Sequence, residues 1–210
     1  MSLIVSESSA KRYPPIPEGS YPAVCVALVD LGLQKTNFEG REGERHELVI
    51  QWEAPTETVE VDGDQVPRLI SKTYTASLDG RGNLRKDLKS WRGREFTSEE
   101  LARFDLRNIL GAPCLIQIVH RKTETGTYAN IAGIMTLPKG MAKPQPQTQP
   151  WSFDIDEATM EEFHALPEWL KKKVEASPTW QQRDHSEETP PPEEPQGFEE
   201  IPDDDGVLPF

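Results

Sequence analysis

The sequence predicts a mainly β fold: a five-stranded barrel with a helical insert between strands three and four, then a short helical segment and a disordered acidic tail. Three observations carry this expectation. Val-rich or alternating runs bounded by glycine-bearing turns recur five times before residue 140, the signature of strands in a small β domain. A helical block with its own start and stop signals separates the third run from the fourth. The composition then changes near residue 140. The 210 residues carry 23 Lys+Arg and 36 Asp+Glu, a net charge of −13, yet residues 1–140 have a net charge of −1 and residues 141–210 one of −12. Twelve of the 19 prolines lie from Pro138 onward, and only 35% of the chain is hydrophobic, so its C-terminal part lacks the apolar surface to fold on.

The elements follow in order. Residues 1–17 read as a flexible start ending in Tyr13-Pro14-Pro15-Ile16-Pro17. Ser20 to Leu31 is rich in Val and Ala and reads as strand one, and Gly32 to Gly43 as a polar loop. Arg45 to Glu53 alternates, with Leu48, Ile50 and Trp52 on one face, and is strand two. Thr58 to Val61, an Asp62-Gly63-Asp64 turn and Arg68 to Ser77 make a hairpin whose returning arm is strand three. Asn83 to Trp91 reads as a helix, and Thr97 followed three residues later by Glu100 is a capping box that starts a second. Gly111 and Pro113 stop it. Cys114 to Arg121 and Thr127 to Leu137 flank a short loop and form strands four and five. Strand, strand, strand, helix, strand, strand over residues 18–140 is the order of an oligonucleotide/oligosaccharide-binding (OB) barrel, which carries ligands on strands two and three and on the loops beside them. Residues 141–150 are a Pro/Gln linker, 151–180 a short helical segment interrupted at Pro167 with Trp169, Leu170 and Val174 as a docking face, and 181–210 a disordered acidic tail.

Several classes of function find no footing. No apolar run approaches the ~20 residues of a membrane span, and the N-terminus lacks the apolar stretch of a signal peptide, so the chain reads as cytoplasmic, without a membrane partner. Cys25 and Cys114 lie in apolar runs, as buried thiols do. The four histidines are scattered, and neither cysteine has the spacing of a zinc site. No phosphate loop or nucleophile elbow is present. We therefore expect no catalytic residues, no metal and no cofactor, the rival being a metal-dependent nuclease using Asp79, Asp87 and Asp105.

Cation placement is more informative. Arg68 to Arg94 holds eight cations (Arg68, Lys72, Arg81, Arg85, Lys86, Lys89, Arg92 and Arg94) and only Asp79 and Asp87. Alternation puts Arg68, Ile70, Lys72 and Tyr74 on one face of strand three. Cations can neutralise phosphates, and aromatic rings such as Tyr74 and Trp91 offer faces on which bases stack whatever their sequence. The first loop adds Lys35, Phe38 and Arg41, and the last hairpin adds Arg121, Lys122 and Tyr128, so both loops flanking an OB groove carry cations beside an aromatic.

The chain ends in Asp203, Asp204 and Asp205, then Gly206-Val207 and Leu208, Pro209 and Phe210. An acidic run before an apolar Leu-Pro-Phe end resembles the tip of bacterial single-stranded DNA-binding proteins. Residues 72–96, from Lys72-Thr73-Tyr74-Thr75 through Leu84-Arg85-Lys86-Asp87-Leu88 to Ser90-Trp91-Arg92-Gly93-Arg94 and Phe96, resemble bacteriophage-encoded proteins of that class. The resemblance implies an OB barrel that coats single-stranded DNA during phage replication, recombination or repair in the host cytoplasm, and recruits partner enzymes through the tip. It allows a homo-oligomer without carrying over the bacterial tetramer interface. The rival is an acidic adaptor or inhibitor that binds a host replication or repair protein and never touches DNA. Binding of RNA uses the same stacking and phosphate contacts.

Overall fold

The computed structural model describes residues 13–38 and 40–183, without the side chains of Phe38 and Arg41. The acidic tip, Asp203 to Phe210, lies outside the described residues, as do the side chains of those two loop candidates. Six strands form one sheet: β1 (Gly19–Phe38), β2 (Arg41–Val61), β3 (Asp64–Thr75), β4 (Pro113–Thr123), β5 (Gly126–Met135) and β6 (Trp151–Phe153). The order is β3-β2-β1-β4-β5, antiparallel throughout, with β6 added in parallel to β1. β4 pairs with Gly19 to Val24 of β1, and β6 takes the same edge farther along, at Ala27 to Val29. β3 and β5 approach each other without a ladder between them. The sheet is therefore open, where the sequence predicted a five-stranded barrel, and β6 is an addition to that prediction.

The expected loop from Gly32 to Gly43 is instead a two-stranded ribbon, since pairing of β1 with β2 continues from Leu33–His46 out to Phe38–Arg41. Its described side chains are mostly polar and exposed, so the cross-strand ladder holds it together with local side-chain bonds, Thr36 Oγ1 donating to the Gly43 carbonyl and the Gly40 N–H to Asn37 Oδ1. The second hairpin turns at Asp62 and Gly63, both with positive φ (53° and 98°), as a two-residue turn matched to strand twist requires.

The insert lies between β3 and β4, as predicted. α1 (Asn83–Arg92) buries Leu84, Asp87, Leu88 and Trp91, one stripe at helical spacing, against the inner side of the sheet. Gly93 ends it in the left-handed region at φ 67°. α2 (Ser98–Ala102) begins with the predicted Thr97/Glu100 capping box, and a 3-10 turn, Leu106–Ile109, leads into β4. Around α1 the inner core gathers Cys25, Leu48, Ile50, Trp52, Ile70, Tyr74, Ile116 and Ile134. Burial pushes the Cys25 thiol up to about 12 and raises Cys114 as well, so both stay protonated.

Bulges at Cys25/Ala27 and Asp30/Gly32 let β1 serve a second core on the opposite side. There Val29, Leu31 and Val49 meet Phe153, Ile155, Phe163, Leu170, Val174 and Trp180. These come from β6 and the turn after it, which carries Ile155, and from α3 (Met160–Ala165), α4 (Glu168–Glu175) and α5 (Pro178–Gln182). Leu170 and Val174 dock as the sequence suggested, while Trp169 of the same helix remains 41% exposed. The approach is closest at Gly32 (φ 65°), where an added Cβ would stand 2.6 Å from Ser177 Oγ and 2.8 Å from Ile155 Cδ1. Ser177 Oγ donates to the carbonyl of Leu33, whose N–H donates to Thr179 Oγ1. The preceding linker is tethered too. The fully buried carboxylate of Glu53 accepts the backbone N–H groups of Gln147 (2.7 Å) and Thr148 (2.8 Å). Residues 141–183 thus cover the outer side of β1 and part of β2.

Candidate nucleic-acid interface

The alternation read on β3 is present, but the face holding Arg68, Ile70, Lys72 and Tyr74 points inward. Ile70 and Tyr74 are 7% and 3% exposed, whereas Leu69, Ser71, Thr73 and Thr75 are exposed on the outer side. Tyr74 is therefore a core residue and not the base platform expected of it. Its hydroxyl donates to Asp87 Oδ2 at 2.8 Å, and burial together with the Asp87 charge raises its pKa. Trp91 departs from the same expectation. It packs at 5.9 Å from the Trp52 ring, donates Nε1–H to the carbonyl of Pro113, and is 5% exposed.

Most of the basic run is paired internally. Lys72 Nζ sits 2.6 Å from Asp87 Oδ2, Arg81 faces Asp79 at 3.5 Å, and Lys89 pairs with Glu95. Arg92 and Arg94 share Glu100, and Arg92 also lies over the rings of Phe96 and Phe104, at 4.3 and 5.1 Å. Hydrogen bonds from Arg94 and from the Thr97 N–H hold Glu100 well below the usual carboxylate range, at about 2. Lys72 and Arg92 are thus structural cations, contrary to the phosphate-binding role predicted for them. Arg85 donates to the carbonyl of Leu78. Among the described residues no carboxylate pairs with Arg68, Arg85, Lys86, Lys35, Arg121 or Lys122. Lys35 stands on the β1–β2 ribbon and Lys86 on the solvent side of α1, so neither joins the others in one site.

One set of predicted residues does converge. A cavity of about 610 Å³ opens at the seam between β3 and β5. Arg68, Leu69, Ile70 and Ser71 form its β3 wall, Thr125 to Ala129 its β5 wall, and Tyr13, Pro15 and Ile16 a third side. Tyr128 is 47% exposed and Leu69 46%, so the seam shows an aromatic ring and an apolar side chain to solvent. Across the β4–β5 ladder Arg121 stands opposite Tyr128 and Lys122 opposite Thr127. Directly opposed residues share a face, so Arg121 is on the same face of the sheet as Tyr128. A groove with an exposed ring, an apolar rim and cations without carboxylate partners can stack a base and attract a phosphate.

Sequence reasoning missed Tyr13 and Leu69, having assigned Tyr13 to a flexible start. The signal available was the proline spacing: Pro14, Pro15 and Pro17 have no N–H, so the segment cannot pair as a strand, and runs along the seam without closing it. The carboxylates of the nuclease rival are separately engaged. Asp87 holds Lys72, while Asp79 and Asp105 accept the backbone N–H groups of Arg81 and Arg107. Among the described residues no three His, Cys, Asp or Glu side chains are placed to hold a metal ion, and no helix is long and apolar enough to cross a membrane. No family model matches this chain, and no curated protein matches it.

Proposed function

We propose that this chain is a sequence-tolerant single-stranded DNA-binding protein on an OB-type sheet, with the strand lying along the β3–β5 seam. The observation that carries the reading is the seam itself: Tyr128 exposed on one wall, Leu69 and Arg68 on the other, and Arg121 across the ladder. The strand order and the position of the insert are those of OB domains, which supports the reading further. Residues 141–183 cover the outer side of β1 and part of β2, which leaves the β3 side of the OB ligand face for the strand. Stacking on a ring is indifferent to base identity, which makes the binding sequence-tolerant. In this reading the protein coats single strands in phage replication, recombination or repair, and the tip from Asp203 to Phe210 captures partner enzymes, its charge steering it to a basic rim and Phe210 filling an apolar pocket.

The test is fluorescence anisotropy of a labelled oligo-dT, with a matched duplex and an RNA of equal length, against the full chain and a chain lacking residues 202–210. The reading predicts salt-sensitive binding to the single strand by both proteins, with the duplex bound far more weakly. Absence of binding at low salt would discard it in favour of the acidic adaptor. Preference for the RNA would reassign the ligand.

A further inference from the structure

Resting on that reading, we propose that the segment Tyr13–Ile16 is a wall of the DNA groove and that Tyr13 is a second base platform, across the seam from Tyr128. The segment is anchored in the core at its Ile16 end and held more lightly toward Tyr13. Ile16 is 3% exposed in the inner core, and its carbonyl faces His120 Nε2 at 2.7 Å, while Glu18 accepts the N–H of His120. Two residues earlier the side-chain hold among the described residues is from Arg68, whose guanidinium donates to the carbonyl of Pro14. Tyr13 beyond it is 38% exposed, lines the same cavity as Tyr128, and makes no hydrogen bond among the described residues.

This arrangement has the properties of a binding wall. The prolines restrict φ, so the backbone that presents Tyr13 loses little further freedom when a base stacks on it. The cavity of about 610 Å³ stands open between the two tyrosine-bearing walls, with room for a nucleotide. Arg68 donates to a neutral carbonyl and has no carboxylate. A phosphate oxygen carries the negative charge that the Pro14 carbonyl lacks, so a strand entering the groove competes for Arg68 and releases its hold on the Tyr13–Ile16 strap. Tyr13 then follows the base without unfolding anything, because the anchor at Ile16 lies in the core.

The four tyrosines of the chain, Tyr13, Tyr21, Tyr74 and Tyr128, make this directly measurable. The full chain is labelled with 3-fluorotyrosine, its four fluorine resonances are assigned by single Tyr→Phe substitutions, and oligo-dT is titrated in. The resonances of Tyr13 and Tyr128 are expected to shift together, while that of the buried Tyr74 stays in place. In parallel, Tyr13→Ala is expected to weaken oligo-dT binding by about tenfold, within the range for loss of one base stack, with an unchanged salt slope, and Tyr13→Phe to bind as the natural chain does. Tyr13 is exposed, so neither change threatens the fold. Should Tyr128 shift and Tyr128→Ala weaken binding while Tyr13 does neither, the strap is not part of the groove and the seam reading survives. If no tyrosine responds and the natural chain fails to bind, both fall.

Discussion

Lys72 Nζ lies 2.6 Å from Asp87 Oδ2, the oxygen that also accepts the Tyr74 hydroxyl, so one carboxylate ties β3 to α1 through two side chains of the inner face. The helix bearing the basic run is thus fastened to the sheet by a cation of that run. Asp87→Ala leaves a half-buried ammonium and a buried hydroxyl without their partner, and should cost about 2–4 kcal/mol. Thermal unfolding measures it. Lys72→Ala should also lower Tm but leave the salt slope of DNA binding unchanged, which separates a structural cation from one that touches phosphate.

Glu100 carries a pH dependence whose sign follows from its environment. Its carboxyl is held at about 2 by Arg94 and the Thr97 N–H, below its value in the unfolded chain, so the stability it confers is present above about pH 4.5 and is lost as the pH falls toward 2. Glu100→Gln should therefore lower Tm at pH 6 and converge with the natural chain near pH 2. A difference that persisted unchanged to pH 2 would mean that the charge of Glu100 is not what holds Arg92 and Arg94.

At Gly32 the backbone is left-handed and the C-terminal module is in contact, so Gly32→Ala is strained twice. The cost should be about 2–4 kcal/mol, from the positive φ and the overlap with Ser177, Ile155 and Thr179. It falls on the outer core alone. Hydrogen exchange should rise in residues 151–183 while α1 and β4 keep their protection.

Arg121 and Lys122 have no carboxylate partners among the described residues and stand on β4, across the ladder from Tyr128 and Thr127 of the seam's β5 wall. Replacing either by Ala should reduce the slope of log K against log salt by about 0.7, one single-strand phosphate contact, with Tm unchanged. Arg92→Ala should instead act on Tm, since its guanidinium lies between two phenyl rings and Glu100.

Strand positions, the insert and the capping box were legible because each has a local cause: alternation, a stripe at 84, 88 and 91, and Thr97 three residues before Glu100. The direction of β3 was not. Alternation says which side chains share a face, not which face is inside, and cations beside Tyr74 suggested solvent. A cue was present in α1, where Asp87 falls within the buried stripe and so demands a buried cation or donor. The ribbon that stands in place of the Gly32–Gly43 loop is not legible, because its described side chains are mostly exposed and the cross-strand ladder that orders it leaves no periodic signature. The docking of residues 151–183 depended on the outer side of β1, and no local pattern could specify that contact.

In the proposed complex the strand runs along the β3–β5 seam and not along the exposed basic side of α1. Photo-crosslinking the full chain to oligo-dT carrying 5-iodouracil, followed by mass spectrometry of the peptides, tests it most directly. Adducts are expected at Tyr128 and in the β3 peptide spanning Arg68 to Ser71. Adducts confined to residues 85–94, with none at the seam, would contradict it.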